Sequence, residues 1–310
     1  MPKFVLLLTL WLGMGVAAAQ ESVIQWMTEP QPAIAEARRS YRPLMVYVLA
    51  SSKDRDDKLE NEQRRALSDP RVLALCQRFV PLKLSRSQHR DILKDFGLPE
   101  SANMMMSFVT PDGEKLGDLG ASGVAQAGSL ASKLRLVLQL YGKKLYETDV
   151  KPVLQNPDAK PAELKRALQM VAAFEMSAAE PGVLELVARP KLDAATLGLA
   201  CDALAQFSSE KAVNALLDLA RAGNKPAEKA LEQCNPAGAA IMVAGLQTEG
   251  QPFDYVAYRA AARICGIKNT KPERYFETAK PQLRQQEIER VTKLVQEAAQ
   301  RWKGTQDDAR

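Results

Sequence analysis

The side chains able to carry chemistry in this sequence are four cysteines, one histidine, a methionine triplet and one dense stretch of mixed charge. Cys76, Cys201, Cys234 and Cys265 are far apart, each in an apolar helical context. No CxxC pair occurs, so neither a zinc ribbon nor a dithiol redox centre is encoded. Two readings of the thiols stand: buried free thiols acting as small hydrophobes, or one bridge within the last three. His89 lies between Gln88 and Arg90 in a polar stretch and reads as a solvated side chain rather than a general base. A Ser-His-Asp site would have to recruit it, and no GxSxG elbow accompanies it. One histidine with scattered cysteines supplies no metal-ligand cluster, and no EF-hand loop is present. Met104-Met105-Met106 offers thioether sulfur of the kind that suits Cu(I). In a strand, however, Met105 points opposite to its two neighbours, so the three sulfurs cannot converge, and core packing is expected. Lys53-Asp54-Arg55-Asp56-Asp57-Lys58 reads as a solvated helix start, with use as a polar docking surface as the alternative. Catalytic residues, cofactors and metals are therefore assigned to none.

Elements that would position these groups follow from periodicity. Pro43 to Ala50 is a nearly continuous apolar run and predicts a buried central strand. Ser51-Ser52 is placed to cap the next helix, with Leu59, Ala66 and Leu67 as its main apolar contacts. Asp69-Pro70 breaks it, and a further helical face carries Val72, Leu73, Leu75, Cys76 and Phe79. Val80 to Leu84 predicts a second strand, Ile92 to Gly97 a short helix, and Met104 to Val109 a third strand. Thr110-Pro111-Asp112-Gly113 turns the chain into a fourth strand at Lys115-Leu116. Leu130, Leu134, Val137, Leu138 and Tyr141 then mark a helix.

This order of pieces resembles the thioredoxin-like superfamily over roughly residues 22–145. It is carried by Trp26, the Ala33–Ala37 helix, Arg42-Pro43-Leu44-Met45-Val46, Asp69-Pro70-Arg71-Val72, Phe79-Val80-Pro81-Leu82-Lys83, Phe96-Gly97-Leu98 and Phe108-Val109-Thr110-Pro111-Asp112-Gly113. The resemblance implies an α/β sandwich with a CxxC at the start of the helix after the first central strand, where a helix N-terminus lowers a thiol's pKa. It also implies a cis-proline before the third strand. Here Lys53, Asp54, Arg55 and Asp56 stand at the CxxC position and Met104 at that of the proline, so both halves of the redox site are missing.

After about Val150 the strand signals end. Helix pairs are expected at Ala162–Phe174 with Val183–Ala188, at Ala195–Phe207 with Glu210–Ala222, and at Ala227–Cys234 with Ala237–Leu246. A fourth pair begins at Tyr255–Cys265, with Pro272 opening its partner. Ala167-Leu168, Ala203-Leu204, Ala230-Leu231 and Arg263-Ile264 recur at offsets of 36, 27 and 33 residues. The pattern resembles HEAT-like repeats, and an irregular helical bundle is the alternative. The resemblance implies a surface for protein contact. A last helix carries Ile288, Val291, Val295, Ala298 and Trp302 in a seam that either caps the array or meets a partner or second copy.

The whole chain has 310 residues, 46% of them hydrophobic and 25% charged, ordinary for a protein with a sizeable core. Lys3, the apolar stretch Phe4–Val16 and Ala17-Ala18-Ala19 form a secretory signal with cleavage expected before Gln20, an uncleaved anchor being the alternative. Losing Lys3 lowers the formal charge from +5 to +4, too mild and too mixed in sign for nucleic acid. Aromatic content of 6% is also sparse for base stacking. The expected organisation is a signal peptide at 1–19, a thioredoxin-like domain without redox cysteines at 20–148 and an α-helical repeat domain at 149–310. The expected function is that of an exported, periplasmic or extracellular interaction or scaffold protein with a protein partner and no membrane span in the mature chain. The alternative is a thiol-dependent redox protein or sensor using Cys76 or a repeat-domain cysteine.

Overall fold

The computed structural model describes residues 24–49, 56–98, 105–247 and 253–307. The expected signal peptide, the Ser51-Ser52 cap and the motif positions Lys53, Asp54, Arg55 and Met104 lie outside them. The chain divides into two compact units, Met1–Val137 and Leu138–Arg310.

The first unit runs α1 (Pro30–Ser40), β1 (Leu44–Leu49), α2 (Asp57–Leu67), α3 (Pro70–Cys76), β2 (Val80–Ser85), α4 (Arg90–Asp95), β3 (Met105–Val109), β4 (Lys115–Leu119) and α5 (Ala121–Val124), and enters α6 (Ala127–Leu145). The sheet order is β2-β1-β3-β4, with β1 and β2 parallel and both the β1/β3 and β3/β4 pairs antiparallel. β1 is central and buried on both faces, which is why its sequence is a continuous apolar run rather than an alternating one. On one face Leu44, Val46, Val48, Leu82, Leu84, Met105 and Val109 pack with Ala33 and Ala37 of α1 and Leu93 of α4. Met27 bridges Leu82 on the outer side of the edge strand β2; its N–H donates to the Pro81 carbonyl and its carbonyl accepts from the Lys83 N–H. Met105 and Met106 are both core side chains.

Local chemistry sets the ends of these elements. The Asp56 carboxylate accepts from the Lys58 and Leu59 amides at 3.0 and 3.2 Å, so the cap of α2 is Asp56 rather than a serine upstream. Asp69 caps α3 with Pro70 in its first turn, and the Arg71 guanidinium holds the Asp69 carboxyl at about 2. In the β3–β4 turn Gly113 sits at φ +88°, in the left-handed region, and its N–H donates to the Thr110 carbonyl.

Beyond α6, the described residues of the second unit contain helices and no strand. They run α7 (Lys151–Gln155), α8 (Pro161–Phe174), α9 (Glu180–Val187), α10 (Ala194–Phe207), α11 (Glu210–Arg221), α12 (Lys225–Leu231), α13 (Pro236–Ala244), α14 (Tyr255–Ile264), α15 (Glu273–Thr278) and α16 (Pro281–Asp307). α10 packs on α8 and α12, and α12 on α14; in a second row α11 packs on α9 and α13, and α13 on α16. Asp193, Ser209, Asn224, Asn235 and Asp254 cap the N-termini of α10 to α14 in turn, each accepting a backbone N–H. Pro272 is the residue before α15 rather than its first.

The last helix packs on α13 and α14. Ile288, Val291 and Val295 are buried as expected, but the fourth and fifth positions differ: Ala299 is buried while Ala298 and Trp302 are half-buried. A seam spaced 3, 4, 3, 4 has a period of 3.5, whereas a straight helix turns every 3.6 residues, so the buried stripe drifts onto Ala299.

Candidate functional site

β1 ends and β3 begins at the same end of the sheet, because Val48 pairs with Met105 in the antiparallel register. The stretch leaving β1 enters α2, so topology gathers this end of the sheet and the region of the α2 N-terminus. Of the five degenerate redox-motif positions only Asp56 is described, and its carboxylate is occupied as a helix cap on an exposed side chain. Lys53, Asp54, Arg55 and Met104 lie outside the described residues.

Close to this end is a polar pair that periodicity alone does not announce. Tyr47 Oη donates to Gln63 Oε1 at 2.6 Å, and Gln63 Nε2 donates to the Ala121 carbonyl at 2.9 Å. Gln63 is 1% exposed and takes the inward position of α2 together with Ala66, whereas Leu59 and Leu67 are only half-buried. The half-buried Trp26 ring stands 5.6 Å from Tyr47. Burial, and then the nearby Glu60 charge, push the Tyr47 phenol up, so it acts as a neutral donor rather than an acid. A tyrosine with its hydroxyl satisfied by an amide holds α2 and α5 to the sheet.

All four cysteines are free thiols. Cys76 is 4% exposed at the end of α3, its Sγ 3.8 Å from Met45 Sδ, and burial pushes its thiol up to about 12. Burial also raises Cys201, with Asp202 adding to it, and Cys234, against a bond to Ser208; both reach about 11. Cys265 is half-buried; burial raises its thiol and the Arg301 charge opposes this. A thiol held in its protonated form is a poor nucleophile, because the thiolate is the attacking species. His89 is half-buried at the start of α4, with Nδ1 3.1 Å from the Ser85 carbonyl, where it donates as the Nδ1–H tautomer. Among the described residues no three His, Cys, Asp or Glu side chains are grouped to hold a metal ion.

In the helical unit several polar side chains join one element to another. Arg189 donates to the Leu154 and Asn156 carbonyls, Ser209 to Glu180, Arg221 to Asp254, Arg259 to Glu228 and Arg263 to Glu232. The Asn235 N–H donates to Ser208 Oγ, and Tyr258 Oη to Glu287. Each of these bonds spans 27 to 35 residues of sequence.

The densest of them surrounds Glu287, which is 6% exposed. It accepts from Tyr258 Oη at 2.7 Å and from Arg290 Nε and Nη2 at 2.9 and 2.7 Å. The Lys271 N–H in turn donates to Tyr258 Oη at 2.9 Å. Burial pulls the Glu287 carboxyl up, but the bonds from Arg290 and Tyr258 outweigh it and hold it below the usual value. Burial, and the bond to Glu287, drive the Tyr258 phenol far above its ordinary range. Beside it Phe253 stacks on Phe276 at 3.9 Å, with Tyr255 and Tyr275 edging the same ring, a concentration unusual in a chain so poor in aromatics. Proximity of Tyr258 to Glu287, 29 residues on, has no signal in either local pattern.

No protein-family model matches the chain, and no curated protein is significantly similar to it.

Proposed function

We propose that the protein is an exported, non-enzymatic interaction or scaffold protein, in which a thioredoxin-like module without redox cysteines is followed by a HEAT-like helical array. The thioredoxin-like reading is supported by the sheet order β2-β1-β3-β4, with a parallel first pair and a final antiparallel hairpin. It is also supported by α2 following β1 directly and by the long α6 after the hairpin. The sole sulfur that the cysteines contribute to this module, Cys76, is buried against Met45 on α3, away from the turn into α2 where a redox thiol would sit. A periplasmic or extracellular location rests on the N-terminal leader pattern.

The observation that carries the interaction role is the two-row stacking of α8–α10–α12–α14 against α9–α11–α13–α16, bonded across neighbours at a recurring separation of about 30 residues. Stacked helix pairs present a long continuous surface, and that surface rather than a cleft is what a partner protein would meet. The experiment is co-purification after crosslinking in cell-envelope fractions, comparing the native chain with Asp202→Lys and Lys229→Glu, two exposed repeat-surface residues. The expected result is a defined partner that is lost from the variants while their thermal melts stay unchanged. A native chain recovered without a partner under several crosslinking chemistries would contradict it. The second reading, a thiol-based sensor, is favoured by one observation alone, the half-buried position of Cys265.

A further inference from the structure

α16 spans Pro281–Asp307, 27 residues, and is the longest helix among the described residues. Its buried side is short of apolar side chains for that length: Ile288, Val291, Val295 and Ala299, with Glu287 and Thr292 among them. Leu283 and Leu294 instead face solvent at 46% and 37% exposure. Thr292 Oγ1 is buried and has no hydrogen-bond partner among the described residues. A buried hydroxyl left in this way loses its hydration without replacement, so each docking of α16 carries that cost. Across the contact, α13 is Pro-Ala-Gly-Ala-Ala-Ile-Met-Val-Ala, with no polar side chain to answer the hydroxyl and no charge to answer a carboxylate. The Glu287 carboxylate is accommodated only because Tyr258 of α14, the loop at Lys271 and Arg290 of α16 itself close around it. The contact thus holds one satisfied polar network and one unsatisfied polar group within a small apolar seam.

We infer that α16 is a detachable end cap of the helical unit, latched by the Tyr258–Glu287–Arg290 network and loosened by the partnerless Thr292 hydroxyl. It leaves α13 and α14 by local opening while α8 to α12 stay folded. Local unfolding of this kind draws on the segments with the fewest buried apolar contacts. The inference concerns the last helix alone and stands whether or not the chain binds a partner.

Native-state hydrogen exchange on the full chain, read by mass spectrometry on peptides from α16 and from α10–α11, tests it. The expected result is that α16 peptides exchange through an opening less sensitive to added denaturant than global unfolding, well before those of α10–α11. Thr292→Val, which keeps the shape and removes the hydroxyl, slows exchange in α16 by about tenfold and leaves α10–α11 unchanged. Glu287→Gln speeds α16 alone by at least as much, because an amide cannot keep both the Arg290 pair and its charge-assisted bonds. Exchange of α16 in step with α10–α11 in the native chain would overturn the inference, and that comparison needs no variant to fold. Slower exchange of every helix in Thr292→Val would overturn it too, since the hydroxyl would then weaken the whole unit rather than the cap.

Discussion

Cys76, Cys201 and Cys234 share one physical condition: sulfur in a packed apolar setting, where desolvation disfavours the thiolate. Their folded values of about 12, 11 and 11 lie well above neutral pH, so reaction with a thiol reagent requires opening of the structure. Cys265, half-buried at the end of α14, is the one thiol open to slow attack in the native state. Titration with an aromatic disulfide reagent at pH 8 is therefore expected to modify one equivalent, mapped to Cys265, with the other three appearing only in denaturant. Glu287 gives a pH test at the same scale. Its folded value is lowered, so the carboxylate adds stability above the unfolded value of about 4.5, and that stability is lost as pH falls through the folded value. In acid melts, the native chain is expected to lose stability below about pH 4.5 more steeply than Glu287→Gln, which has no carboxyl to protonate. Parallel acid limbs for the two proteins would show that the carboxylate contributes nothing.

Helix and strand positions are where sequence and structure agree most closely, and the reasons are visible in particular elements. β1 is an unbroken apolar run because both its faces are covered, and the β3–β4 turn contains Gly113 because the chain there adopts φ +88°. α2 was less legible: apolar counting selected Leu59, Ala66 and Leu67, of which Ala66 is buried, whereas the other inward position went to Gln63, whose amide is satisfied by Tyr47 and the Ala121 carbonyl. No pattern in one segment can announce a partner 16 or 58 residues away. The same limit hid Tyr258–Glu287, and the drift of the α16 seam from Ala298 to Ala299 reflects helix pitch that a 3.5-residue template does not follow. The candidate redox positions rest on residue identities alone, and four of the five lie outside the described residues. At the turn between α10 and α11, Ser208 holds φ +49° and its hydroxyl donates to the Ala205 carbonyl while accepting from the Asn235 N–H. Ser208→Ala leaves that N–H without its acceptor and is expected to cost about 1–2 kcal/mol in urea melts, with an unchanged slope. A change within error would mean that the link between these two turns carries no stability.

At the scale of the helical unit, a set of polar side chains ties one helix to the next. Arg221–Asp254, Arg259–Glu228 and Arg263–Glu232 are exposed or half-exposed pairs, individually weak, whose recurrence fixes how neighbouring helices register. The most direct measurement is the rate at which the purified full-length chain accelerates reduction of a model protein disulfide by dithiothreitol. The expected result is the uncatalysed rate, unchanged when Cys76 and Cys265 are both replaced by serine. Turnover well above that rate, abolished by either replacement, would contradict it.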